Sequence, residues 1–176
     1  MNSASFDRQP SLVGELLELR PLHAYDFEAL FRAAADPLIW EQHPERNRYQ
    51  EAPFQAFFEE ALSSGGALVA VERTSRQIIG SSRYHGFDAA RGVIEIGWSF
   101  LARAYWGGRY NGEMKRLMLE HAFRWVNRVI FIIGPDNLKS QRAIEKIGGV
   151  LASTTIDAAG RRKLIYEVTR TLYGAA

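Results

Sequence analysis

Val129-Ile130-Phe131-Ile132-Ile133-Gly134-Pro135-Asp136-Asn137-Leu138-Lys139-Ser140-Gln141-Arg142-Ala143-Ile144-Glu145-Lys146-Ile147-Gly148 holds a complete strand–turn–helix unit. Five consecutive apolar residues, 129–133, read as a buried strand. Gly134-Pro135-Asp136 is a turn. Asn137 suits the N-cap of a helix over 138–147, and Gly148 suits its end. Upstream, Gly92 to Phe100 reads as another strand, and a helix follows from about Arg109 to Val126. Along it Tyr110, Met114, Leu117, Met118, His121 and Trp125 recur at spacings of three and four. A strand–helix–strand unit of this kind places 92–100 and 129–133 parallel, through a right-handed crossover.

The rest of the chain extends this core in both directions. Leu12 to Leu19 reads as a first strand ending at Pro21. A helix opening at Asp26 carries Phe27, Leu30, Phe31 and Ala34 and stops at Asp36-Pro37; a second runs from Ala52 to Leu62. Ala67 to Glu72 and Gln77 to Tyr84 form a hairpin around Arg73-Thr74-Ser75-Arg76. After Gly148 come a strand over 150–156, the turn Asp157-Ala158-Ala159-Gly160 and a last strand over 163–172. This order predicts an α/β fold with a mixed, mostly antiparallel sheet, one parallel strand pair and helices on both faces. Residues 1–10 read as a flexible tail before a single domain over 11–173.

Composition narrows the chemistry. Of 176 residues, 47% are hydrophobic and 24% charged, enough for a real core on a water-facing surface. No apolar run approaches the roughly 20 residues that span a bilayer, and Met1 to Gln9 has no apolar centre, so the cytoplasm is expected. The absence of cysteine removes disulfides, thiolate metal sites and a cysteine nucleophile. His23, His43, His85 and His121 are scattered, so no metal is expected. Up to residue 88 there are eight arginines and thirteen acids, net −5; thereafter fourteen Lys plus Arg face seven acids, net +7. A basic C-terminal half suits a polyanionic ligand, though ordinary solvated charge reads the same way. The basic residues are too dispersed for nucleic acid, and nothing suggests a membrane.

Two loops start at the carboxyl ends of the parallel strands, where ligands bind in such sheets. The first, Leu101-Ala102-Arg103-Ala104-Tyr105-Trp106-Gly107-Gly108-Arg109-Tyr110-Asn111-Gly112-Glu113, enters a helix N-terminus. Its N–H groups and the positive end of the helix dipole suit phosphate; a tight turn is the plainer reading. It lacks Gly-Lys-Ser/Thr and does not fit Gly-x-Gly-x-x-Gly. The second loop brings Asn137 and Ser140. Glu95 lies between Ile94 and Ile96 and so points to the face opposite theirs. A carboxylate in a sheet centre needs a reason, and an acid at a solvated or salt-bridged sheet position is the plain one.

These motifs together resemble the GNAT superfamily of N-acetyltransferases. Asn137-x-x-Ser140-x-Arg142-Ala143-x-Glu145-Lys146-x-Gly148 is similar to the second half of its acyl-coenzyme A site. Tyr105-Trp106-Gly107-Gly108-Arg109-Tyr110-Asn111-Gly112-Glu113 and Glu95-Ile96-Gly97-Trp98 resemble the branch of ribosomal-protein N-terminal acetyltransferases. Arg109 stands where glycine is usual there, and Asn111 where alanine or glycine is usual. The resemblance implies a splayed parallel strand pair and acetyl-CoA as co-substrate. It implies cofactor contacts at Phe100, Leu101, Gly107, Gly108, Arg109, Tyr110, Asn111, Gly112, Asn137, Ser140 and Arg142. It implies Glu95 and Ser140 as catalytic residues, with Tyr166 an alternative acid. The expected reaction is direct attack of a primary amine, small-molecule or peptide, on the thioester in a ternary complex. The alternative is a non-catalytic acyl-CoA sensor or interaction module, motivated by Arg109. Monomer and homodimer both stay open.

Overall fold

The computed structural model describes residues 5–174. All eight strands join one sheet. In chain order they are β1 (Leu12–Val13), β2 (Leu17–Pro21), β3 (Ala67–Glu72), β4 (Ile78–Asp88), β5 (Val93–Leu101), β6 (Arg128–Ile133), β7 (Val150–Ile156) and β8 (Arg162–Thr169). The helices are α1 (Phe27–Ala34), α2 (Pro37–Trp40), α3 (Glu51–Ser64), α4 (Arg109–Ala122), α5 (Leu138–Glu145) and α6 (Arg170–Tyr173). The spatial order is β1-β2-β3-β4-β5-β6-β8-β7, and every neighbouring pair is antiparallel except β5 and β6. The α/β expectation, with one parallel pair, holds.

Two apolar cores flank the sheet. One gathers Ile94, Ile96, Leu101, Met114, Met118, Phe131 and Ile144 beneath α4 and α5. The other gathers Leu30, Trp40, Phe54, Phe57 and Phe100 beneath α1 and α3. Phe54 is wholly buried, and its ring meets Phe27, Phe31, Phe57, Phe58 and Phe100. The helical spacing of phenylalanines along α3 is therefore the imprint of this aromatic cluster.

Several boundaries differ from the sequence reading. The single first strand is a hairpin, β1 and β2, turned at Gly14, whose N–H donates to Leu17 O at 2.9 Å. Pro37 does not simply end a helix. It opens the one-turn α2, where Asp36 caps Leu38 N–H at 3.0 Å. Helix α4 stops at Ala122, so Trp125 leaves the buried stripe and is 37% exposed. The last strand ends at Thr169, which caps the short α6. The proposed loose tail reaches beyond the described residues at 1–4, but Phe6 corrects it: the ring is buried among Tyr84, Phe87 and His121. His121 Nε2 also meets Asp7 O at 2.8 Å, so the chain is anchored from Phe6 onwards.

Candidate active site

The parallel pair β5 and β6 holds together for only three registers, Val93–Arg128, Ile94–Val129 and Glu95–Ile130. Beyond Glu95 the strands part. Strand β6 stays paired to β8 along its whole length, and β5 runs on beside β4. The backbone of 96–101 on one wall and of 131–133 on the other lacks a partner strand across the gap. A cavity of about 490 Å³ fills this opening, lined by Ile96, Gly97, Trp98 and Ser99 on one side and Phe131, Ile132 and Ile133 on the other.

A bulge in β5 turns the gap into a passage with two different ends. Between Ser81–Phe100 and Arg83–Gly97, β4 advances two residues while β5 advances three. Trp98 absorbs the extra residue with φ 52°, in the left-handed region. The alternation of faces flips there. Ile94 and Ile96 belong to the core under α4, as does Leu101, whereas Trp98 and Phe100 pack with the core under α3. Glu95 thus looks to the α3 face, together with Trp98 and its cross-strand partner His85. Ser99 looks to the α4 face and meets the amine of Lys115.

On the α4 side the cavity is lined by Asn111, Lys115, Asn137, Ser140 and Ile144. Asn137 Oδ1 accepts from Ser140 N–H at 3.2 Å, the N-cap of α5. Lys115 is a buried lysine with no carboxylate partner among the described residues. Burial alone pulls its pKa from 10.5 to about 7. Ser99 Oγ also lies 2.8 Å from Ser82 Oγ, so the lysine ends a short hydroxyl chain across two strands.

The glycine loop lies outside the cavity mouth. Gly107 and Gly108 have φ of 107° and 104°, and a Cβ on either, or on Gly112, would enter open space. No side chain caps the N-terminus of α4, and no acidic residue occupies its first turn. Its leading N–H groups therefore stay open towards a shallow cradle. Arg109, exposed, is the first residue of α4, so its side chain does not replace a backbone donor. Trp106 Nε1 donates to Leu101 O at 3.0 Å, Tyr105 meets Tyr110 edge-on at 5.0 Å, and Lys139 Nζ sits 4.1 Å above the Trp106 ring. The last contact joins the two site loops. Glu113 turns away: its carboxylate accepts from Glu15, Leu16 and Leu17 N–H, each at 2.8 Å.

On the α3 side Glu95 is half-buried, and burial, only partly offset by the Arg83 guanidinium, pushes its pKa up to about 7. Around it lie His43, Arg48, His85, Asp157, Arg161 and Lys163. His43 is held neutral, its pKa lowered to about 4 by burial and then by the charge of Arg48.

The predicted residues fall into three groups. Glu95, Asn111, Asn137 and Ser140 come together at the cavity. Gly107, Gly108, Arg109, Tyr110 and Gly112 form the outer cradle, while Arg142 is exposed on α5 and does not line the cavity. Phe100 and Leu101 point their side chains into the two cores and leave only backbone for a ligand. Tyr166 is buried, and its hydroxyl donates to Glu145 Oε1 at 3.1 Å, away from the cavity. Lys115 is a cavity residue that sequence reasoning missed. For Lys115 a signal existed, since Asn111 and Lys115 lie one helical turn apart and share a face. No group of three or more His, Asp or Glu suited to a metal occurs among the described residues.

The acetyltransferase (GNAT) domain model matches residues 17–150, and the chain belongs to that family. Solved structures agree in fold. A GCN5-related N-acetyltransferase from Brucella melitensis superposes with TM-score 0.84 at 20% identity, over 95% of this chain and 81% of that one. A GNAT-family acetyltransferase from Chromobacterium violaceum gives 0.83 at 23% identity, over 100% and 95%. RimJ of Mycobacterium smegmatis in complex with CoA-disulfide gives 0.68 at 19% identity, over 93% and 90%. No curated protein matches the sequence significantly. A RimJ thus stands beside other acetyltransferases, and the fold alone does not single out the ribosomal-protein branch. Among the described residues no helix is long and apolar enough to cross a membrane.

Proposed function

We propose that this chain transfers an acetyl group from acetyl-CoA to a primary amine, both held in the gap between β5 and β6. The observation that carries the reading is the parting of these strands after Glu95–Ile130. It opens a passage with a carboxylate at one end and an uncapped helix N-terminus near the other. The residues present fit coenzyme A. Unpaired strand backbone on both walls suits the amides of its pantetheine arm, as an added strand would. The open N–H groups of α4 and the Gly107-Gly108 cradle suit its pyrophosphate. Asn137, Ser140, Arg109 and Arg142 flank that path. Bound there, acetyl-CoA would supply the activated acetyl thioester.

The chain's own groups would do the rest. Glu95, as carboxylate, takes the proton of the incoming amine directly or through one water. A backbone N–H of β5 beyond the bulge faces the carbonyl oxygen. The Ser140 hydroxyl is the donor on the leaving-sulfur side. Holding both reactants in one passage supplies much of the rate.

A thiol-release assay with acetyl-CoA against amino acids, peptides, polyamines and aminoglycosides tests this reading. Turnover of an amine supports it. Coenzyme A binding with no turnover of any amine overturns it in favour of a sensor. Isothermal titration of coenzyme A to Arg109→Gly decides whether that guanidinium holds a phosphate: weaker binding is expected, and an unchanged Kd removes the contact.

A further inference from the structure

The acceptor end of the cavity has an unusual electrostatic lining. Its acidic residues are Glu45, Glu95 and Asp157, and its cations are Arg48, Arg161 and Lys163. Most of these charges already have partners. Arg161 reaches Glu45 Oε1 at 2.8 Å and Asp157 Oδ2 at 2.9 Å, and Lys163 lies 3.6 Å from Asp157. Asp157 also accepts from the N–H groups of Ala159 and Arg161. Two groups remain uncommitted among the described residues, the Glu95 carboxyl and the Arg48 guanidinium.

Aromatic rings, and no polar partner among the described residues, hold Arg48 in place. Its guanidinium carbon sits 4.6 Å from the centre of the Phe57 ring and 5.7 Å from Trp40, so an aromatic floor fixes it. It has no hydrogen bond or ion pair among the described residues. A partly desolvated cation without a partner is costly, and an anion arriving beside it removes that cost. His43 stands next to it on the cavity wall. Its Nδ1 accepts from Glu45 N–H at 2.9 Å, so in the neutral ring the hydrogen sits on Nε2 as a further donor.

We infer that the acceptor is an amine carrying a carboxylate, an amino acid, whose acid group docks on Arg48 beside the His43 ring while its amine faces Glu95. This rests on the acetyl-transfer reading above and adds the acceptor class to it. A planar guanidinium with a fixed orientation matches a carboxylate with two parallel hydrogen bonds. A polyamine or aminoglycoside brings several positive charges to a wall whose only uncommitted acid is Glu95, and so meets repulsion from Arg48.

The test is a matched-pair thiol-release assay on the full chain with acetyl-CoA. Amino acids are compared with their amides and with the corresponding decarboxylated amines; taurine, phosphoethanolamine and spermidine are added as further arms. The expected result is a kcat/KM for the amino acid at least about tenfold above its amide and its decarboxylated amine. In Arg48→Met that preference collapses, mainly through a raised KM for the amino acid. Arg48→Gln serves as a second variant should the first lower the melting temperature. Equal or better turnover of the amide, the decarboxylated amine or spermidine overturns the inference and leaves acetyl transfer standing. Preference for taurine or phosphoethanolamine overturns the carboxylate assignment. Should no amine turn over, acetyl transfer itself fails, and calorimetry of the amino acid on the coenzyme A-loaded protein still decides the anion site. Binding that Arg48→Met abolishes supports it, and absence of binding ends it.

Discussion

Glu95 and Lys115 face opposite ends of one passage, and burial drives both towards neutrality. Glu95 is raised to about 7, so its basic form is lost as pH falls through that value. We expect kcat/KM to drop by about tenfold per pH unit on the acid side of 7. Glu95→Gln should lower kcat by about a hundredfold or more and flatten this limb; a wild-type profile would exclude Glu95 as base. Lys115 carries a stability cost of opposite sign in pH. Its amine is held near 7 in the folded chain against 10.5 for the free group, so unfolding takes up a proton between those values. Its contribution is least unfavourable above 10.5 and worsens as pH falls to 7, by on the order of 5 kcal/mol. Lys115→Met should therefore raise stability at pH 7, and the gain over wild type should shrink as pH rises towards 10.5 in urea titrations. A gain that is constant with pH would contradict the shift. For Glu95 the window runs the other way. Its raised pKa leaves its contribution whole below about 4.5 and erodes it as pH climbs to 7.

The elements that frame the gap were legible where their chemistry is local. Asn137 reads as a cap from its place before a helical pattern, and it is one. The Gly107-Gly108 pair needs positive φ that other residues adopt at a cost, so the turn shows in the sequence. The bulge was not legible. Ile94, Ile96, Trp98 and Phe100 alternate as though they shared one face, and only the register against β4 reveals the flip. Lys115 was hidden for a similar reason. Beside Arg116 it resembles a solvated helix charge, and its burial depends on Phe131 and Ser99, distant in sequence. Glu113 belongs to a motif whose pattern suggests a ligand role, yet it secures the β1–β2 turn to α4. A Cβ on Gly14 would run into the Glu113 carboxyl group, so the turn and the acid are fitted to each other. Glu113→Ala leaves three N–H groups without their acceptor and should cost about 3 kcal/mol or more by urea denaturation. A loss below about 1 kcal/mol would mean that water replaces the carboxylate.

Across the molecule, the division of charge lies along the chain as well as around the site. The half that supplies α4, α5 and both site loops is the basic one, at net +7, and the half before it is net −5. Coenzyme A is polyanionic, so its capture at the cradle should be helped by this field. Its Kd is expected to weaken severalfold as salt rises from about 0.05 M to about 0.5 M, where the screening length shrinks to a few ångströms. A Kd insensitive to salt would leave the short-range cradle alone responsible. The two cores give this field a rigid support. Phe6, although near the start of the chain, closes over Tyr84 and His121 and ties the N-terminal segment to β4 and α4.

The left-handed Trp98 makes the residue count of β5 part of the site's architecture. Were the same residues to run without the bulge, simple alternation would swing Phe100 out of its nest of Trp40, Phe54 and Phe57 and unseat Ser99 from Lys115. The count of residues from base to aromatic nest acts as a ruler that fixes which reactant each side of the wall addresses.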